Sequence, residues 1–324
     1  MSVSKPRFLF RPVYDIVFKM VFATRQDLLT SLLNAVLQPD EPITDVTVLN
    51  PEIPPDRHGL KGVVLDLLVT LNDDSRAIVE MQAIDRGNQP ERSTFYMARV
   101  TSNAMLRGER YEAIPRVFGV FFLDYDQIQA PDGFHWTITY HIDQLGTRWA
   151  SNSMIHVVEL RKAFRATRAK WPREQNLLDW IQFLKIQSAK DVQKVKQMGG
   201  DVAKAARALE DIMNDPDART VVDDHVSAMF DHYSSIRAHE LRGEERGRKI
   251  GEKIGEERGE KRGREIGERI GEERGRKIGE ELGLTKGKQL AAVGMKRNGM
   301  SLEQIAQVLD VSVDVIREWL DESA

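Results

Sequence analysis

A mixed α/β domain is predicted over the first 150 residues of this 324-residue chain, on three observations. Apolar residues at helical spacing fill positions 12–37. Two β-branched runs flank the turn-forming Asn72-Asp73-Asp74-Ser75. The strongly apolar Val117–Leu123, bounded by Arg116 and Asp124, has the composition of a buried central strand.

Each element follows from its residues. Val13, Val17, Met20 and Val21, then Leu28, Leu29, Leu32, Leu33 and Val36, recur with helical period. A break near Ala23-Thr24, or a cap at Asp27, divides them. Pro39 and Pro42 stop helix formation. Val46–Leu49 is a short strand, and Pro51, Pro54 and Pro55 make a loop. Val63–Leu71 and Ala77–Gln82 are the arms of a hairpin. Asn88–Arg107 reads as a helix, with Pro90 suited to its first turn and Gly108 at its end. His135–His141 alternates as a strand does. The order is helix, three strands, helix, two strands, ending near residue 150. From 156 to about 240 the chain reads as mainly helical, interrupted at Trp171-Pro172 and Asp215-Pro216.

The hairpin carries the residues that point to chemistry. Asp66 interrupts an apolar run, and a buried carboxylate is costly unless it is paired or holds a metal. Period-two alternation places Ile78, Glu80 and Gln82 on one face of the second arm and Val79 and Met81 on the other. A hairpin brings opposed residues together, so Asp66 and Glu80 are expected to converge. Two carboxylates and a backbone carbonyl form a hard oxygen site of the kind Mg²⁺ takes. A solvated acidic edge on an ordinary hairpin accounts for the same spacing.

Composition narrows the classes. The chain has no cysteine, which excludes disulfides, zinc–thiolate sites and a cysteine nucleophile, and fits a reducing compartment. No apolar run nears ~18 residues, so no membrane span is expected. The opening MSVSKPRFLFRP lacks the apolar centre of a signal peptide, and a cytoplasmic location is the expectation. A net charge of -3 argues against a uniformly basic nucleic-acid binder. The charge is uneven, however. Residues 1–130 hold 14 Lys+Arg against 17 Asp+Glu, whereas residues 151–200 hold 10 against 4. A basic segment beside a carboxylate-bearing domain suits a polyanionic substrate, and a solvated helical face explains the count equally. The seven histidines show no zinc spacing. His225, His232 and His239, seven apart, mark a solvated or helix-contacting stripe.

From Gly243 to Gly287 a glycine stands at every fourth position, twelve in all, between Glu, Lys, Arg and Ile. GRKIGEKIGEERGEKR at 247–262 is echoed by GREIGERIGEERGRKI at 263–278. Helical glycine costs about 1 kcal/mol against alanine, or roughly 12 kcal/mol here. Pairs such as Glu244–Arg248 and Glu245–Lys249 return only about 0.2–0.5 kcal/mol each. The segment is therefore either an oligomerising helix, stabilised by partner packing along Ile250, Ile254, Ile266, Ile270 and Ile278, or a flexible charged spacer. Alternating signs argue against a nucleic-acid tail. Beyond it, Ser301 followed by Gln304 is a capping signature, and Ser312 is placed to cap a further helix. The module resembles a helix-turn-helix, although Asp314, Glu318, Asp321 and Glu322 suit DNA poorly. A protein-interaction or dimerisation module competes with that reading.

Five segments in order resemble one bacterial family. They are D-I-V-F-K-M-V-F at 15–22, L-D-L-L at 65–68, V-E-M-Q at 79–82, R-S-T-F-Y at 92–96 and G-E-R-Y at 108–111. The chain resembles the recombination-promoting nuclease and transposase proteins of the PD-(D/E)XK nuclease superfamily over roughly residues 8–240. The resemblance implies an α/β restriction-endonuclease-like core that hydrolyses DNA phosphodiester bonds with Mg²⁺, in recombination or on mobile elements. By the same resemblance Asp66 is the superfamily aspartate and Glu80 the acid of the (D/E)XK element, with the Met81 carbonyl as a third Mg²⁺ ligand. Gln82 stands where lysine is usual. It hydrogen-bonds water but supplies no positive charge.

Asp15 and Lys19, one helical turn apart, form a surface pair or serve the site. Arg92 and Tyr96, also one turn apart, contact the scissile phosphate or hydrogen-bond locally. Tyr111 reads as a core residue or local donor. DNA is the expected partner, and a homo-oligomer is expected. The resulting layout is a nuclease-like core at 1–150, a helical extension at 151–240, the glycine-periodic segment at 241–287 and the C-terminal module at 288–324. A catalytically silent nuclease-fold protein serving interaction or oligomerisation is the competing class.

Overall fold

The apolar stripe of residues 12–37 folds as two helices, α1 (Asp15–Phe22) and α2 (Gln26–Leu37). Arg25, not Asp27, holds the N-cap position of α2. Asp27 lies in its first turn, where a negative charge complements the helix dipole, and pairs with Arg25 at 2.7 Å. The computed structural model describes residues 8, 10–49, 52–53, 63–105, 108–130, 132–149, 152–166 and 168–321. The chain divides into two units, Met1–Ser235 and Ile236–Ala324.

In the first unit, α1 and α2 are followed by β1 (Val46–Leu49), β2 (Glu52–Ile53), β3 (Val63–Val64), β4 (Leu67–Leu71) and β5 (Arg76–Gln82). Then come α3 (Gln89–Ser102), β6 (Val117–Leu123), β7 (His135–Ile138), β8 (His141–Ile142), β9 (Thr147–Arg148) and β10 (Ser153–Glu159). Helices α4 (Leu160–Arg165), α5 (Gln175–Leu184), α6 (Ala189–Lys196), α7 (Gly200–Asn214) and α8 (Pro216–Arg297) complete the series, α8 running on into the second unit. Six strands make one mixed sheet in the order β1-β4-β5-β6-β10-β7. The pairs β1–β4, β4–β5 and β10–β7 are antiparallel, and β5–β6 and β6–β10 are parallel.

The structure differs from the sequence reading in five places. The expected arm Val63–Leu71 is broken at Leu65-Asp66: β3 pairs with β2, while β4 pairs with β5. Helix α3 ends at Ser102, where Asn103 N–H closes on the Arg99 carbonyl, short of the expected Arg107; residues 106–107 lie outside the described residues. Tyr111, read as a core residue or a local donor, is 82% exposed, which excludes the core reading. Ser153–Glu159, partly within the stretch read as helical, is a strand beside β6. Its MIHVV run is apolar without strict alternation, and a strand buried on both faces cannot be told from a buried helix by periodicity alone. The strand read at His135–His141 stops at Ile138, and His141 begins a two-stranded ribbon of β8 and β9.

Each sheet face has its own core. Ala77, Val79 and Met81 of β5 join Val17, Val21, Leu29 and Leu33 of α1 and α2. Ile78 faces the other way, into Leu68, Val117 and the α3 residues Met97 and Val100. Helix α3 lies close on β6 because Gly119 has no side chain: a Cβ there would stand 2.8 Å from Met97 Sδ and 2.7 Å from the Phe121 ring. Overpacking of this kind costs about 1–3 kcal/mol. Gly119→Ala is therefore expected to lower unfolding free energy by about that amount in a denaturant titration.

In the second unit, α9 (Leu302–Leu309) begins at the expected Ser301–Gln304 capping box. With α10 (Val313–Asp321) it packs Ile305, Ala306, Ile316 and Trp319 around Ala292 of α8. The glycine-spaced segment is helical throughout, and a Cβ at any glycine from Gly243 to Gly287 would meet open space. Lys249 pairs with Glu245 at 2.9 Å as its spacing predicts, whereas Arg248 turns to Glu252 at 2.8 Å. Among the described residues no helix is long and apolar enough to cross a membrane.

Candidate active site

The break before β4 creates the site. The β4–β5 register ends with Leu67 opposite Val79, and one more step sets Asp66 opposite Glu80. Side chains there replace the backbone ladder. Asp66 N–H donates to Glu80 Oε1 at 2.8 Å, and Met81 N–H donates to Asp66 Oδ2 at 2.8 Å. Each carboxylate thus accepts from the backbone of the opposite strand, which sets both at the break in the ladder. Both groups are buried, with Asp66 8% and Glu80 1% exposed.

Burial sets their protonation. Loss of hydration raises the Asp66 carboxyl above its ordinary range, against the pull of the Lys19 ammonium and the Met81 N–H. Burial likewise raises Glu80, and repulsion from Asp66 adds to it, taking its pKa to about 8. Two acids drawn together away from water favour a shared proton or a shared cation.

The remaining site residues come from three elements. Lys19 of α1 reaches Asp66 Oδ1 at 3.2 Å. Gln82, on the same face of β5 as Glu80, donates from Nε2 to Glu80 Oε2 at 3.1 Å. Arg92 of α3 donates to Gln82 Oε1 at 2.7 Å and to the Tyr96 hydroxyl at 3.0 Å, and its Nη2 lies 3.7 Å from Glu80 Oε2. Gln82 thus carries no charge of its own but is bonded to one. Asp15 lines the same cleft, but its partner is His225 Nε2 at 3.1 Å, not Lys19.

These groups surround a cleft of about 410 Å³. Its far wall is the first part of α8, with His225, His232 and Tyr233. Arg86 closes one end by donating to the Tyr233 hydroxyl at 2.7 Å. Arg86 and Tyr233 escaped the sequence reading. Arg86 follows a strand end in a turn, where no periodicity marks it, and Tyr233 is some 150 positions away. Of the histidines at seven-residue spacing, His225 and His232 line the cleft from exposed positions, whereas the face of α8 that meets the core is marked by Val222 and Val226.

The donor set fits a hard divalent cation in part. Gln82 carbonyl accepts from Asp124 N–H on the β6 side, and Met81 N–H points to Asp66 on the β4 side. Strand alternation therefore turns the Met81 carbonyl toward Asp66 as well. Among the described residues no three His, Asp, Glu or Cys side chains gather as a ligand group. Asp66 and Glu80 would hold an ion together with that carbonyl and water, as Mg²⁺ commonly binds.

Residues 12–239 match the family model of the PD-(D/E)XK nuclease family transposases. The chain belongs to that family, and its mixed six-stranded sheet with flanking helices agrees with the family's fold. A search of the curated proteins finds no match, and neither does a search of the solved structures.

Proposed function

We propose that this chain is a Mg²⁺-dependent DNA endonuclease acting in recombination or on mobile DNA. The observation that carries the proposal is the reciprocal Asp66–Glu80 pair, buried in a cleft that also holds the cationic side chains of Lys19, Arg86 and Arg92. Asp66, Glu80 and the Met81 carbonyl would hold Mg²⁺, which when bound supplies charge neutralisation at a phosphodiester and a more acidic water. Gln82 is placed to accept from or donate to that water. Its hold on Arg92 brings a guanidinium where the superfamily usually has lysine. Arg92 and Lys19 offset the charge that builds on a phosphate under attack. The Tyr96 hydroxyl fixes the Arg92 fork from behind.

Arg92 is the residue whose role separates positioning from simple charge. Arg92→Lys keeps the charge but loses the fork that spans Gln82, Glu80 and Tyr96. Both Arg92→Lys and Arg92→Ala are expected to lower kcat for plasmid cleavage, by about 10-fold and about 10²-fold, a range set by losses of single electrostatic donors. Equal activity of the lysine variant and the parent would contradict the positioning role.

The proposal itself is tested on supercoiled plasmid. Mg²⁺ should produce nicked or linear DNA with 5′-phosphate ends, and EDTA should abolish it. A folded protein that leaves the plasmid intact would favour the silent-scaffold reading.

A further inference from the structure

The parallel strands β5, β6 and β10 end at the same edge of the sheet, with Gln82, Leu123 and Glu159 in one register row. The residues just beyond that row carry charge. Asp124 follows β6, and its N–H donates to the Gln82 carbonyl at 2.9 Å, so it adjoins the candidate active site. Its carboxylate is buried under three cations: Lys185 at 2.7 Å, Arg11 at 3.4 Å and Arg161 at 3.8 Å. Arg161 and Lys185 also line a second cleft, of about 410 Å³, together with Phe164, Arg165 and Lys194. The acid lining that cleft is Asp191, whose Oδ2 is taken by the Ser188 hydroxyl at 2.7 Å and Gln187 N–H at 3.1 Å. Arg165 reaches Asp126 at 2.8 Å yet stays 65% exposed. Phe164 is 60% exposed, an aromatic ring standing among cations without a core to cover it.

We propose that this second cleft binds the phosphodiester backbone of the same DNA that enters the candidate active site. The inference rests on the nuclease reading above and adds where the duplex runs. Glu159, two residues before Arg161, lies two strands away from Gln82, roughly 10 Å at ordinary strand spacing. That distance is about three nucleotides along one DNA strand. Asp124 holds Arg11, Lys185 and Arg161 at the ridge between the clefts, a positioning role. The positive charge of residues 151–200 thus faces a ligand at Arg161, Arg165, Lys185 and Lys194, while Phe164 offers a flat apolar surface to a sugar or a splayed base.

The test is binding of a labelled 30-base-pair duplex to the full chain without Mg²⁺, read by fluorescence anisotropy across a salt series. Arg161→Glu/Lys194→Glu is compared with Arg207→Glu/Arg219→Glu, an equal charge change at exposed positions elsewhere. The cleft variant is expected to raise Kd at least tenfold and to flatten the salt slope by about 2, for two lost phosphate contacts. The control should shift Kd by the small factor of net charge alone. Arg161→Gln/Lys194→Gln should fall between parent and reversal, which guards against misfolding of the reversed chain. Equal Kd and slope for cleft and control variants would overturn the second cleft while leaving the nuclease reading intact. A parent chain that binds no duplex at any salt would overturn both.

Discussion

Asp66→Ala and Glu80→Ala are each expected to lower Mg²⁺-dependent plasmid cleavage by about 10³-fold or more, the equivalent of roughly 4 kcal/mol of lost transition-state stabilisation. Each variant removes one of the two carboxylates that the β4–β5 register sets opposite one another. Each also removes a backbone bond, to Met81 N–H or to Asp66 N–H. Lost bonds to buried N–H groups cost about 1–3 kcal/mol, so activity and melting temperature should be recorded together. Asp66→Asn and Glu80→Gln separate the two effects, because they keep the shape and hydrogen-bonding reach while removing the charge. A cleavage loss in the amide variants equal to that in the alanine variants would place the effect in the charge. Full activity of the amide variants would contradict it.

The second large effect is on stability against pH. In the metal-free chain Glu80 is raised from 4.5 to about 8, first by burial and then by repulsion from Asp66. The folded state then holds a proton that the unfolded chain has released. The sign follows from linkage: the stabilising contribution is full below pH 4.5 and is lost as pH rises through about 8. At about 1.4 kcal/mol per pKa unit, the loss between those limits is a few kcal/mol. Asp66, also raised by burial, acts in the same direction. The metal-free melting temperature should therefore fall between pH 5 and pH 8, with Glu80→Gln largely flattening that fall. Mg²⁺ should raise the melting temperature more at pH 8 than at pH 6, because the cation replaces a proton that is already leaving. A pH profile identical in parent and Glu80→Gln would contradict the buried-pair account.

Much of the site was legible in the sequence because it depends on local register. Asp66 and Glu80 lie fourteen residues apart around one short turn, and strand alternation alone puts Gln82 beside Glu80. Arg92 and Tyr96 were legible as a helical pair, but their reach onto Gln82 depends on how α3 packs over β6 at Gly119. The helical spacing of Asp15 and Lys19 allowed either a surface pair or a place in the site. Lys19 faces Asp66 and Asp15 turns to His225, because a charge beside buried Asp66 outranks a surface pair worth a few tenths of a kcal/mol. Long-range elements were the least legible. Strand β10 inserts between β6 and β7 although it follows both in sequence, and its composition does not separate strand from buried helix. Tyr233 reaches the cleft from α8, and nothing local to either partner announces its bond to Arg86. The glycine-spaced segment posed a different problem. Its spacing allowed either a helix or a spacer, and it is helical with its isoleucines exposed.

The measurement that bears most directly on the account is plasmid cleavage by the parent and by Glu80→Gln, side by side, in Mg²⁺ and in EDTA. Metal-dependent nicking or linearisation by the parent, absent from a folded Glu80→Gln, is the predicted result. Equal cleavage by both proteins, or cleavage that survives EDTA, would contradict a hydrolytic site built on Asp66 and Glu80.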